Sequence, residues 1–202
     1  MCVGTLVLPV EFELANSKPQ AGPYRISPSA SALNEIIDKS KDAKNVEVLI
    51  KILREGKGIS TVLRRSIISD VVGVKCGQGI SIRAAEALGD IKDKRAVEPL
   101  IEVLRDEYFV IRKYACWALG EIGGVGAVDP LIEVLRGDSD NGVRKYAAEA
   151  LGKIKDKRAV EPLTEALRED SDEFVRIVAA RALGEIGDES AVETLGKVAL
   201  NE

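Results

Sequence analysis

The tripeptide Ala-Leu-Gly recurs on a fixed beat, at Ala87–Gly89, Ala118–Gly120, Ala150–Gly152 and Ala182–Gly184. A second phrase keeps the same step. It reads Ala-Val-Glu-Pro-Leu from Ala96, Ala-Val-Asp-Pro-Leu from Ala127, Ala-Val-Glu-Pro-Leu from Ala159 and Ala-Val-Glu-Thr-Leu from Ala191. The ten residues Ile91–Leu100 return unchanged as Ile154–Leu163. A period of about 32 residues means that one small unit is copied along the chain, and each copy buries its apolar face only against its neighbours.

Each unit reads as two helices. In the first, Val97, Leu100, Ile101 and Leu104 fall at i, i+3, i+4 and i+7, which is one helical face. Pro99, Pro130 and Pro162 lie in its first turn, where no backbone N–H is needed. Asp93, Asp156 and Asp188 precede it as candidate caps. In the second helix, Val143, Ala147, Ala150, Leu151 and Ile154 form the apolar stripe, and Gly123 and Gly187 are natural stops. The Ala-Leu-Gly glycine falls before the helix ends and costs about 1 kcal/mol relative to alanine. Close contact with the next repeat is the expected compensation.

Arg112, Arg144 and Arg176 share one position in the first turn of the second helix. A cation there opposes the helix dipole, so acidic partners are expected from the preceding loops: Asp106, Asp138 with Asp140, and Asp170 with Asp172. This reads as a structural Arg–Asp ladder between repeats. Ser81 breaks the series in the first clear unit.

These motifs, with the pattern VR..AA.ALG.IGD..AV.PL...L.D over residues 80–200, resemble HEAT-like repeats of the phycobilisome-lyase type. The resemblance implies an all-α, right-handed α-α superhelix. Some members of that family assist attachment or removal of bilin chromophores, and many look like interaction scaffolds. A hydroxylase branch uses His-Glu metal motifs. This chain has no histidine, so that activity does not carry over.

The expected organisation is an extended arm at 1–28, degenerate repeats at 29–79 and clear repeats at 80–202. Together these give about five helix pairs and a final helix at 190–201. Residues 45–55 resemble a first helix. Counting back from a second helix at 80–91 instead makes 59–74 a first helix, 44–55 a second and 29–40 a first. In the arm, Leu6, Leu8, Val10, Phe12 and Leu14 alternate as in a strand. Three readings stay open for it: a cap on the first helices, disorder, or strand addition to a partner.

Composition narrows the function. The absence of histidine removes Ser-His-Asp and Cys-His catalysis and His-ligated metals. Cys2, Cys76 and Cys116 have no paired spacing, so neither a metal site nor a disulfide framework is expected, and a cytoplasmic location is the default. No stretch reaches membrane-spanning length. The net charge is −4, which disfavours nucleic acid. Scarce Gln and Asn beside abundant Glu, Lys and Arg lean toward a thermophilic source.

No catalytic constellation emerges and no cofactor is expected. The framework is constant while one face of the second helices varies, and that face holds Tyr114, Trp117 and Tyr146. These are three of only five Tyr and Trp residues in the chain. With Arg83, Glu86, Lys113, Lys145, Glu149 and Arg181 they form a candidate partner-binding strip on the concave surface. The expected function is a non-enzymatic adaptor, scaffold or chaperone-like module for a protein or peptide. Self-association through the arm or last helix is a further expectation. A bilin-lyase-like subunit or chromophore-handling protein is the alternative.

Overall fold

The computed structural model describes residues 30–63, 76–189, 191, 192 and 196. The expected arm at 1–28 and most of the final helix at 190–201 lie outside them. Among the described residues are nine α-helices and no strand. They are α1 (Ala30–Asp42), α2 (Val46–Leu63), α3 (Cys76–Ile91), α4 (Val97–Val103), α5 (Phe109–Ile122), α6 (Val128–Gly137), α7 (Asn141–Ile154), α8 (Val160–Glu169) and α9 (Glu173–Ile186). Short 3₁₀ turns, Lys94–Ala96, Val125–Ala127 and Lys157–Ala159, lead into α4, α6 and α8.

The helices stack in two rows. Helices α1, α3, α5, α7 and α9 pack in sequence on one another, and α2, α4, α6 and α8 form the other row, each paired with the helix that follows it. Leu100, Leu131 and Leu163 from one row meet Leu88, Leu119, Leu151 and Leu183 from the other, all with no exposed surface. Each contributes roughly 1.5–3 kcal/mol by its burial.

The Ala-Leu-Gly glycines set the spacing of the second-helix row. A Cβ on Gly120 would lie 2.8 Å from the Ala150 Cα, and one on Gly152 would lie 2.9 Å from the Ala182 Cα. On Gly89 it would meet the Trp117 ring at 2.6 Å and the Ala118 Cα at 3.1 Å. Each glycine therefore seats the alanine of the next repeat. This close approach makes the second-helix row the tightly spaced row of the two, the inner row. Gly184 ends the described series, and no described residue comes within 4 Å of the Cβ it lacks. Gly120→Ala and Gly152→Ala are accordingly expected to destabilise by about 1–3 kcal/mol. Gly184→Ala should stabilise by up to about 1 kcal/mol through helix propensity alone. Urea unfolding of the three variants checks the contrast, and a uniform sign across them would contradict it.

Local termination follows the sequence at Gly123 (φ 72°) and Gly187 (φ 64°), both left-handed. Lys44, Lys92 and Lys155 take the same conformation without glycine's freedom. The N-termini of α7 and α9 are capped by Asp140, which accepts the Val143 N–H at 3.0 Å, and by Asp172, which accepts the Phe174 N–H at 2.9 Å. Asp93 and Asp156 cap the 3₁₀ turns, accepting the N–H of Arg95 and Arg158 at 2.9 Å. These are the expected cap residues, but they cap the turns that run into α4 and α8, whose own first residues have no side-chain cap.

The first third differs from expectation. Helix α2 runs unbroken from Val46 to Leu63, through Gly56 and Gly58, where two helices were expected. Interior glycines weaken a helix by about 1 kcal/mol each without ending it, and no proline interrupts this span. The assignment of first and second helices shifts with it. Arg54 donates to Glu102 (2.9 Å) and Arg95 to Glu47 (3.4 Å), as Arg136 does to Glu165 and Arg158 to Asp129 further along. Helix α2 is thus a first helix, as its local resemblance to Ala96–Leu104 indicated, and α1 is a second helix. The left-handed Lys44 after α1 is the second-helix ending. The second helix expected at 80–91 starts earlier, as α3 opens at Cys76.

Candidate functional site

The inner row presents its variable face through α1, α3, α5, α7 and α9. At one level of this face Tyr114 and Trp117 of α5 converge with Tyr146 of α7, Glu86 of α3 and Lys113 of α5. They line a cleft of about 190 Å³. The rings are half-buried against the core, with their remaining surface open. Trp117 lies across Gly89, whose missing Cβ leaves room for the indole. Lys113 Nζ stands 5.9 Å from the Tyr114 ring centre and 5.7 Å from that of Tyr146, and Lys145 Nζ stands 5.3 Å from the Tyr146 ring centre. These are cation–π distances. Burial, and then the negative charge of Glu86, hold the Tyr114 hydroxyl above the usual phenol range.

A second cleft of about 440 Å³ adjoins the first, sharing Glu86 and Trp117. Arg83 lines it and donates to Asp38 of α1, and Lys41 of α1 donates to Asp90. Asp38 and Lys41 were not expected here, because α1 had been given the wrong row. The match of Asn45–Leu49 to the recurrent Ala-Val-Glu-Pro-Leu phrase was the signal that places α1 correctly.

The rest of the strip is an ion-pair network. Glu121 accepts from Lys153 and from Lys92, both at 2.8 Å, and these hydrogen bonds hold its carboxyl below the usual range. Glu149 pairs with Lys153 at 3.1 Å and with Arg181 at 3.7 Å. Of the nine expected strip residues, Glu86, Lys113, Tyr114, Trp117 and Tyr146 meet in one cleft, and Arg83 lines its neighbour. Lys145 reaches the Tyr146 ring from outside. Glu149 and Arg181 stand further along the row. Val178, on the same helix face, is buried.

The arginine series is structural. The Arg112 guanidinium clasps Asp138 with two hydrogen bonds, 2.6 and 2.7 Å, and donates a third to the Asp106 carbonyl at 2.8 Å. Arg144 repeats this on Asp170, at 2.8 and 2.8 Å, and on the Asp138 carbonyl at 3.0 Å. Arg176 donates to the Asp170 carbonyl at 2.7 Å. The carboxylate that Arg112 and Arg144 clasp therefore comes from the following repeat, and the hydrogen bonds to the preceding loop go to backbone oxygens, which corrects the expected partner. The clasped pairs are nearly buried, the arginines 13% and the aspartates 7% exposed.

Cys116 is fully buried at a small-residue packing position, and burial pushes its thiol up. Among the described residues no group of three or more Cys, Asp or Glu is placed to hold a metal ion. No described helix is long and apolar enough to cross a membrane.

Two rows of paired helices with an open inner face define an α-solenoid repeat protein. The family model described as HEAT repeats matches residues 79–145 and 128–202. The chain belongs to the HEAT repeat family. Among solved structures it is similar to a designed armadillo repeat protein in complex with the peptide (KR)4, at 22% identity and TM-score 0.53, over 84% of this chain and 77% of that one. It is also similar to an engineered protein at 25% identity and TM-score 0.51, over 86% of this chain and 75% of that one. No curated protein matches the chain.

Proposed function

We propose that this protein is a non-enzymatic binding module that holds a protein or peptide segment on its inner helix row, centred on Tyr114, Trp117 and Tyr146. The observation that carries the reading is the convergence of these three rings on one open cleft, in a chain whose aromatic content is only 4%. Tyr and Trp give large contact area with few side-chain torsions to freeze, which is why they dominate binding hot spots. The helix rows hold the cleft preformed, which lowers the ordering cost of binding. A solenoid of similar fold carries a peptide in the designed armadillo repeat protein.

Co-purification from source cells tests the reading. The wild-type chain is expected to capture a partner that a Tyr114/Trp117/Tyr146 triple-alanine variant of verified fold loses. A partner kept by both would move the site off this strip. The finer resemblance to the phycobilisome-lyase type supports a second reading, a bilin in the same cleft. An unshifted absorbance spectrum on mixing with bilins would sink it.

A further inference from the structure

We propose that the segment held on this strip is acidic: an extended peptide whose carboxylates pair with Lys113 and Lys145 and whose apolar side chain enters the cleft between Tyr114, Trp117 and Tyr146. This rests on the binding-module reading above and names the chemistry of the partner.

The argument is one of charge complementarity. Along the inner row, charged side chains are neutralised by neighbours: Arg83 by Asp38, Lys41 by Asp90, Lys92 and Lys153 by Glu121, and Arg181 by Glu149. Lys113 and Lys145 are exceptions, for neither forms an ion pair with a described residue; both are held only by tyrosine faces. The reason is local. Four residues after Lys113 the helix carries Trp117, where α3 and α7 carry Glu86 and Glu149. Four residues after Lys145 stands Glu149, already engaged by Lys153 and Arg181. The Glu149–Lys153 order, acid before base along the helix, is the better of the two.

Each ammonium has three donors and, among the described residues, no carboxylate to receive them. An incoming cation would find the tyrosine faces occupied and two like charges beside them. An incoming carboxylate completes both lysines. Glu86, which also forms no ion pair with a described residue, lies on the α3 side of the cleft and turns an anion toward α5 and α7. Helices in contact stand about 8–10 Å apart and an extended chain rises about 3.3 Å per residue. Acids two or three residues apart therefore span the two lysines.

The test uses the single tryptophan of the chain, Trp117, as reporter. Its emission is followed while the full-length protein is titrated with a peptide of three repeats of Glu-Phe-Glu-Ser. The counterparts replace every Glu with Gln or with Lys. The expected result is at least tenfold tighter binding of the Glu peptide than of the Gln peptide at low salt. High salt should shrink the preference, and a Lys113→Gln/Lys145→Gln variant with unchanged circular dichroism should abolish it. If the Gln or Lys peptide binds as tightly or more tightly, the charge assignment is overturned while the cleft still binds peptide. If no peptide moves the emission, the acidic-peptide inference fails, and capture by the triple-alanine variant separately decides the binding-module reading.

Discussion

Replacing Asp138 with alanine is expected to destabilise the fold by about 3–5 kcal/mol, the usual cost of stranding one member of a buried ion pair. For a domain of this size that is a fall in Tm of roughly 10 °C. Asp138 is a junction. Its carboxylate receives both hydrogen bonds from Arg112 and, at 2.9 Å, the backbone N–H of Asp140, which itself caps α7. Removing it leaves a nearly buried guanidinium without its charge partner and loosens a helix start. The exposed Arg136–Glu165 pair is the control, because each side chain is about half exposed and such pairs contribute little. Glu165→Ala should barely move Tm. If the two variants lose stability equally, the ladder does not hold the repeats together. Arg112→Met with Asp138→Leu should recover much of the loss, since apolar replacements remove both desolvation penalties at once. A double-mutant cycle separates the coupling from the single costs.

The same pairs give the fold an acid limit. Burial pushes the Asp138 and Asp170 carboxyls up, but the guanidinium hydrogen bonds of Arg112 and Arg144, the backbone N–H bonds and the nearby positive charge outweigh it and hold both below the usual range. A carboxyl depressed in the folded state stabilises above its unfolded pKa of about 3.9 and loses that stabilisation as pH falls through the folded value. Stability should therefore decline below about pH 4. No side chain of this histidine-free composition has an ordinary pKa between pH 5 and 8, which favours a level profile there.

Much of this architecture is legible in the sequence, because it is periodic. The Ala-Leu-Gly beat announces the tight inner row, and Gly120 and Gly152 meet the alanine backbone as that beat implies. The left-handed glycines and first-turn prolines follow from backbone chemistry alone. What periodicity hides is direction. Asp106, Asp138 and Asp170 occupy equivalent positions, so the sequence does not say whether Arg112 reaches back or forward. Only the packing of loops shows that it reaches forward. In α2, Gly56 and Gly58 read as a break, yet the helix continues through them. That single error reversed the assignment of α1 and hid Asp38 and Lys41 from the strip. The cleft itself was half visible. The residue types were evident at Tyr114, Trp117 and Tyr146, but the isolation of Lys113 and Lys145 depends on which neighbours Glu149 and Glu121 prefer.

Trp117→Ala is expected to weaken partner binding by about 30-fold or more, the loss of a central hot spot worth about 2 kcal/mol or more. The indole stands where the two clefts meet and borders both, so its removal opens one into the other. Arg181→Ala, at the far end of the row and already paired with Glu149, should change affinity less than about threefold, as rim positions do. Gly89→Ala supplies a test that adds no bulk at the ligand surface. Its new methyl would lie 2.6 Å from the indole ring, so the ring must swing away, and the Ala118 backbone at 3.1 Å must yield slightly. Binding should fall and the Trp117 emission of the free protein should shift, while Gly184→Ala on the same row leaves both unchanged. Titration of a labelled partner measures all four variants. If Gly89→Ala shifts the emission but binding holds, the indole's seat on α3 is real and its place at the centre of the interface is not.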